Sequence, residues 1–152
     1  MKEICLVLDN IRSRENVGSI FRTSDATGVS KIYLCGTTPT PPHEKISKTA
    51  LGAETYVPWE SYKRTYILLK KLKKERINIV ALELAKDSKN IFQFKPQFPL
   101  ALIIGNEVKG ISPKILKYCD KKISIPMYGK KESLNVSVAM GIAVYELIRD
   151  TY

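Results

Sequence analysis

Three polar clusters in this chain of 152 residues have the residue types and spacing to do chemistry. The first lies in Ile125 to Ile142, which reads as a strand end, a short loop containing Gly129, and a helix opening with Ser133-Leu-Asn135. A helix start carries unpaired N–H donors and partial positive charge, so it suits a polar or anionic ligand group. Ile125, Met127 and Leu134 supply an apolar wall beside it. The second cluster, Gly105-Asn-Glu-Val-Lys-Gly110, has the glycine spacing of a phosphate-cradling loop. Ile111-Ser112 follows where Lys-Ser/Thr would be needed, which argues against nucleoside triphosphate hydrolysis. The third cluster is Asn10 to Thr23. Its Gly18 and Arg22 are four apart and share a helix face, with Gly18 leaving room for a ligand. Taken alone, Arg22 reads as an exposed arginine on an amphipathic helix. Arg12 and Arg14, on the loop before that helix, are better placed as phosphate contacts.

The elements that must hold these clusters alternate between strand and helix. Strands are expected at Ile4–Leu8, Lys31–Cys35, Asn78–Leu84, Leu100–Ile104 and Lys122–Ile125, most of them continuous apolar runs of the kind a sheet covered on both faces requires. Helices are expected at Glu15–Thr27 with Gly28 as C-cap, His43–Gly52, Ser61–Arg76, Pro113–Cys119 and from Ser133 onward, with an extended piece around Tyr56–Trp59. This predicts an α/β fold with a mainly parallel sheet flanked by helices, in one domain over residues 1–152. Ligands of such sheets sit outside the carboxyl ends of strands, so the loops after Leu82, Ile104 and Ile125 are the expected pocket. No GxGxxG occurs, which removes the ordinary dinucleotide fingerprint.

A net charge of +10 and a pI near 9.5 favour polyanionic partners. Lys63, Arg64, Lys70, Lys71, Lys73, Lys74 and Arg76 stand against the single acid Glu75, so the Ser61–Arg76 helix is a candidate path for RNA as well as an ordinary solvated face. Three widely spaced cysteines and one histidine, His43, argue for a reducing compartment and against a metal centre. The start of the chain enters a strand pattern without a signal peptide, and no apolar run reaches the ~18 residues of a membrane span. A cytoplasmic protein with no membrane contact is expected.

Together the three clusters resemble the SpoU (TrmH-like) branch of the SPOUT RNA methyltransferases. The resemblance rests on Asn16, Gly18 and Arg22, on Gly105, Glu107 and Gly110, and on Ser133 and Asn135, in order and at similar spacing across nearly the whole chain. It implies a C-terminal trefoil knot, an exception to the rule that chains do not knot. It also implies S-adenosylmethionine (AdoMet) held in the knot, a homodimer, and methylation of a ribose 2′-oxygen of tRNA or ribosomal RNA, with tRNA narrowly preferred. Carried over residue by residue, Leu82, Gly105, Ile125, Met127 and Leu134 would line the cofactor pocket. Arg22 matches the family's catalytic arginine, and Asn16, Glu107, Ser133 and Asn135 match the polar residues around it. A guanidinium stays protonated near neutrality and is a poor base, so an orienting, charge-stabilising role for Arg22 is expected. The chain is minimal against that pattern, without the family's RNA-binding extensions. The core dimer would then grip RNA through Arg12, Arg14, the Lys63–Arg76 helix, Lys130 and Lys131, or a partner protein would supply the grip. The competing reading is a knotted RNA-binding scaffold that no longer methylates.

Overall fold

The computed structural model describes residues 2–151. Seven strands form one parallel sheet: β1 (Ile4–Asp9), β2 (Lys31–Cys35), β3 (Trp59–Tyr62), β4 (Asn78–Leu82), β5 (Lys89–Asn90), β6 (Leu100–Ile104) and β7 (Lys121–Ser124). Their order is β3-β2-β1-β6-β4-β7-β5, so β6 is inserted between β1 and β4. Alternation along the strands divides the core between the two faces. Ile4, Leu6, Leu8, Val80, Leu100, Leu102 and Ile104 pack with α1 (Arg14–Thr27), α2 (Glu44–Ala50) and α5 (Val136–Leu147). Cys5, Val7, Ile79, Ala81, Ala101 and Ile103 pack with α3 (Thr65–Lys74), and Ile115 and Leu116 of α4 (Pro113–Leu116) rest on the same side.

Several boundaries differ from the sequence reading, for physical reasons. Trp59–Tyr62 is an edge strand paired with β2, and the Tyr62 ring meets Tyr33 edge-on at 6.0 Å, so Tyr62 is not on the helix face expected from Ser61 onward. α3 begins at Thr65 and buries Thr65, Leu68, Leu69 and Leu72. The two-residue β5 has no apolar run to announce it and exists by pairing with β7. β4 stops at Leu82, where its pairing with β7 ends at Ile123. The last long helix starts at Val136, because Asn135 caps it and leaves Ser133 and Leu134 in the preceding loop. Gly28 does close α1, in the left-handed conformation at φ 75°.

Gly18 serves packing between helices, and no ligand space lies beside it. A Cβ there would stand 2.3 Å from the Ile46 carbonyl oxygen and 1.9 Å from Thr49 Oγ1, so α1 and α2 touch only because this residue has no side chain. Gly18→Ala is expected to destabilise the protein by about 1–3 kcal/mol through overpacking. Urea unfolding would read this as a lower midpoint at unchanged slope, and an unchanged midpoint would show that α2 yields without cost.

Candidate active site

The strand ends of β4, β6 and β7 open into a cavity of about 460 Å³, within the usual range for a small-molecule ligand. Leu82, Gly105, Ile125, Met127, Leu134 and Ser133 all line it, as do Glu83, Glu107 and Glu132. Its walls fit AdoMet. Leu82, Ile104, Ile125 and Leu134 offer apolar surface for an adenosine, and the carboxylates suit a cofactor bearing a sulfonium and an ammonium.

Glu83 joins the walls of this cavity. Its carboxylate accepts from the Ile111 amide at 2.7 Å, its own amide donates to the Ile123 carbonyl at 3.0 Å, and its carbonyl accepts from the Ser88 hydroxyl at 2.6 Å. One residue thereby ties the ends of β4 and β7 to the loop after β6. Sequence reasoning placed Glu83 inside a strand. The available signal was an acid interrupting the apolar run Ile79-Val-Ala-Leu82.

Next to the lining residues Leu134 and Val136, Asn135 Nδ2 donates to Asn16 Oδ1 at 3.2 Å. Asn135 Oδ1 accepts from the Ser137 amide at 2.9 Å, the Val138 amide at 3.4 Å and the Ser137 hydroxyl at 2.6 Å. The start of α5 is therefore capped by its own asparagine, which occupies amides that the sequence reading left free for a ligand. Glu107 accepts from the Arg12 amide at 3.1 Å and the Ser13 amide at 2.9 Å. Burial pushes its carboxyl up, but bonds from the Ser13, Glu107 and Arg12 backbones and the Asn16 side chain outweigh this and hold it below the usual value.

That depression gives the stabilisation a sign. Glu107 stabilises the fold while ionised, and the contribution is lost as pH falls below about 4.5 through the folded-state value. Glu107→Ala, which leaves two solvent-accessible backbone amides to water, should cost about 0.5–1.5 kcal/mol near neutrality. Thermal unfolding across pH should show the deficit shrinking in acid, whereas a deficit independent of pH would mean the carboxylate charge contributes nothing.

Glu107 and Ser133 thus line this cavity, Asn135 stands between its lining residues Leu134 and Val136, and Asn16, bonded to Asn135, borders the neighbouring cleft. Arg22 does not join them within the chain. It lines a separate groove with Ser19, Thr23, Lys48, Thr49 and Tyr145. It lies six positions beyond Asn16, about 9 Å of helix rise and about one and two-thirds turns, so the two side chains point about 120° apart around the helix. Arg12 and Arg14 border a second cleft, and Lys130 and Lys131 are exposed on the turn before Glu132. The basic helix α3 runs back down the sheet, because it connects parallel strands. Lys63 and Arg64 therefore lie near the ligand end, and Lys70 to Arg76 lie toward the other. Lys71 pairs with Glu75 at 3.8 Å and Lys73 with Asp120 at 3.4 Å. Among the described residues no group of three or more His, Cys, Asp or Glu could hold a metal, and no helix is long and apolar enough to cross a membrane. Burial pushes the Cys5 and Cys35 thiols up to about 12, as expected of small hydrophobic residues of the core.

The sheet order and the cavity at its carboxyl edge define the class: a SpoU-type RNA methyltransferase fold. The SpoU methyltransferase AviRb from Streptomyces viridochromogenes, solved in complex with AdoMet, matches with a TM-score of 0.90 at 27% identity, covering 99% of this chain and 62% of that one. The Aquifex aeolicus TrmH/SpoU tRNA modifying enzyme matches with a TM-score of 0.87 at 36% identity, covering 98% and 75%. The model of the SpoU rRNA Methylase family matches residues 3–145, and the chain belongs to that family. Among curated relatives, a tRNA (guanosine(18)-2′-O)-methyltransferase of Aquifex aeolicus is 38% identical over 97% of this chain and 70% of its own length. The 23S rRNA (guanosine-2′-O-)-methyltransferase RlmB of Vibrio parahaemolyticus is 34% identical over 96% and 59%. The chain thus spans well under the full length of these relatives.

Proposed function

We propose that this chain, as one domain over residues 1–152, transfers the methyl group of AdoMet to a ribose 2′-hydroxyl of RNA in the cytoplasm, with tRNA the first substrate class to test. The observation that carries this reading is the cavity at the ends of β4, β6 and β7, lined by Glu107 and Ser133, with the Asn135–Asn16 hydrogen bond beside it. Its relatives act on both tRNA and ribosomal RNA. Bound AdoMet supplies an electrophilic methyl on a sulfonium. Methylation of the ribose oxygen would pass its proton to solvent or an RNA phosphate and leave the cofactor as S-adenosylhomocysteine. Leu82, Ile125, Met127 and Leu134 hold the cofactor and exclude water, and the Glu107–Arg12/Ser13 and Asn135–Asn16 bonds fix the segments beside it. The Arg22 guanidinium orients the hydroxyl and stabilises its developing negative charge.

The separation of Arg22 from the cavity supports a homodimer in which a second copy completes the site. Beside it, α1 and α5 expose a groove with Ile142 and Tyr145, the latter 56% exposed. A knotted path through the C-terminal half belongs to the same reading, as does an accessory protein if the dimer alone fails to retain RNA.

The test is transfer of labelled methyl from AdoMet to total tRNA and, separately, to ribosomal RNA, followed by digestion. Label in 2′-O-methylnucleosides upholds the proposal and names the RNA class. Cofactor binding without transfer to either points to a missing partner or a specialised substrate. No cofactor binding sinks the proposal and favours the scaffold reading. Light scattering should give twice the 17.2 kDa chain mass, and a stable monomer at micromolar concentration would remove the completed site.

A further inference from the structure

A second cavity lies where two neighbouring strands send the chain to opposite faces of the sheet. β1 and β6 are neighbours, but the chain leaves β1 for α1 on one face and leaves β6 for α4 on the other. Such a switch point opens a crevice at the carboxyl edge, where ligands of α/β sheets characteristically sit. Here the crevice is about 1470 Å³, larger than the ~300–1,000 Å³ of small-ligand pockets.

Its electrostatics are one-sided. Arg12, Arg14 and Lys109 line it and have no ion pair among the described residues. Its two carboxylates are already engaged, Asp9 by the Thr65 hydroxyl at 2.5 Å and Glu107 by the Arg12 and Ser13 amides. Both walls are fixed. Asn106 Nδ2 donates to the Asn10 carbonyl at 2.8 Å, and Asn10 Oδ1 accepts from the Thr37 amide at 2.9 Å. The segment from Asn106 to Gly110 walls this crevice on one side and the cofactor cavity on the other. On that partition Val108 is 91% exposed, an apolar side chain that packs against nothing in the protein.

We propose that the crevice seats the target nucleotide of a single-stranded RNA segment, with the flanking phosphates on Arg12, Arg14 and Lys109 and the ribose lying over Val108 toward the cofactor cavity. This rests on the RNA methyltransferase reading and adds to it where the substrate lies and which cations grip it. It also sets the crevice apart from Lys70, Lys71, Lys73 and Lys74 of α3, which lie toward the other end of the sheet.

The experiment measures binding of total tRNA and of ribosomal RNA across a salt series for the whole chain and for Arg12→Ala, Lys109→Ala and the distant control Lys74→Ala. The Arg12 substitution keeps the backbone amide that Glu107 needs, and Lys109 is exposed, so both variants should fold. Each is expected to weaken RNA binding by about fivefold or more and to reduce the salt slope by about one, with Lys74→Ala within about twofold. AdoMet affinity of Arg12→Ala, read by calorimetry, should be unchanged. Equal losses in all three variants, or none in Arg12→Ala and Lys109→Ala, would overturn the crevice. RNA binding that depends on Arg12 and Lys109, in a chain that neither transfers methyl nor binds AdoMet, would uphold the crevice and overturn the methyltransferase reading. Methyl transfer indifferent to both residues would do the reverse.

Discussion

Arg22→Ala should lower methyl transfer by about 10²–10³-fold, the usual cost of removing one charge-stabilising donor from a developing oxyanion. AdoMet affinity should stay within about twofold, because Arg22 is not among the residues lining the cofactor cavity. Arg22→Lys separates two roles. It keeps the charge but loses the planar fork, so near-normal turnover would refute orientation by the guanidinium. A mixing experiment tests the proposed dimer. If Arg22 acts on the partner's cavity, Arg22→Ala mixed with a variant unable to bind cofactor should recover about a quarter of wild-type activity. Half of the dimers would be mixed, and one of the two sites in each would be whole. If Arg22 acts within its own chain, the mixture stays inactive, and the separation seen here would have to close by movement of α1.

The second large effect is expected at Gly105. Its neighbours leave no room for a methyl group, since a Cβ would stand 2.6 Å from the Gly110 carbonyl carbon, the Ile111 amide nitrogen and Ile111 Cγ1. Two of these atoms are backbone, so Gly105→Ala must push the following loop outward. That loop carries the Ile111 amide held by Glu83 and forms a wall of the cofactor cavity. AdoMet dissociation constants should rise by about 10–100-fold, or about 1.4–2.7 kcal/mol. Calorimetry reads this directly. Gly129→Ala is the control, because a Cβ there meets nothing within 4 Å. Wild-type cofactor affinity in Gly105→Ala would mean that AdoMet binds elsewhere.

Much of the architecture was legible along the chain because it depends on local rules. Apolar runs such as Cys5-Leu-Val-Leu8 and Leu100-Ala-Leu-Ile-Ile104 have to be covered on both faces, and the fold covers them. Gly28 has to close a helix in the left-handed region, and it does. The rule placing ligands at strand carboxyl ends located the cavity among Leu82, Gly105 and Ile125. The edges were not legible. β3 and β5 are short and carry Glu60, Ser61 and Lys89, so their state depends on a neighbour's hydrogen bonds and not on their own pattern.

The sequence by itself determined the residue chemistry: a basic chain, glycine-bearing turns after buried strands, and the polar set Asn16, Glu107, Ser133 and Asn135. Tertiary structure decided which of these meet. Asn16 and Asn135 lie 119 positions apart and share a hydrogen bond. Asn16 and Arg22 lie six apart and face different cavities, because a helix turns its side chains through 100° per residue whatever their chemistry. The crevice had no local signal, since it arises from the insertion of β6 between β1 and β4, about 90 residues downstream of β1. Spacing along a chain reports contacts within one element. Contacts between elements follow from strand order, which is set by the burial of whole sheet faces.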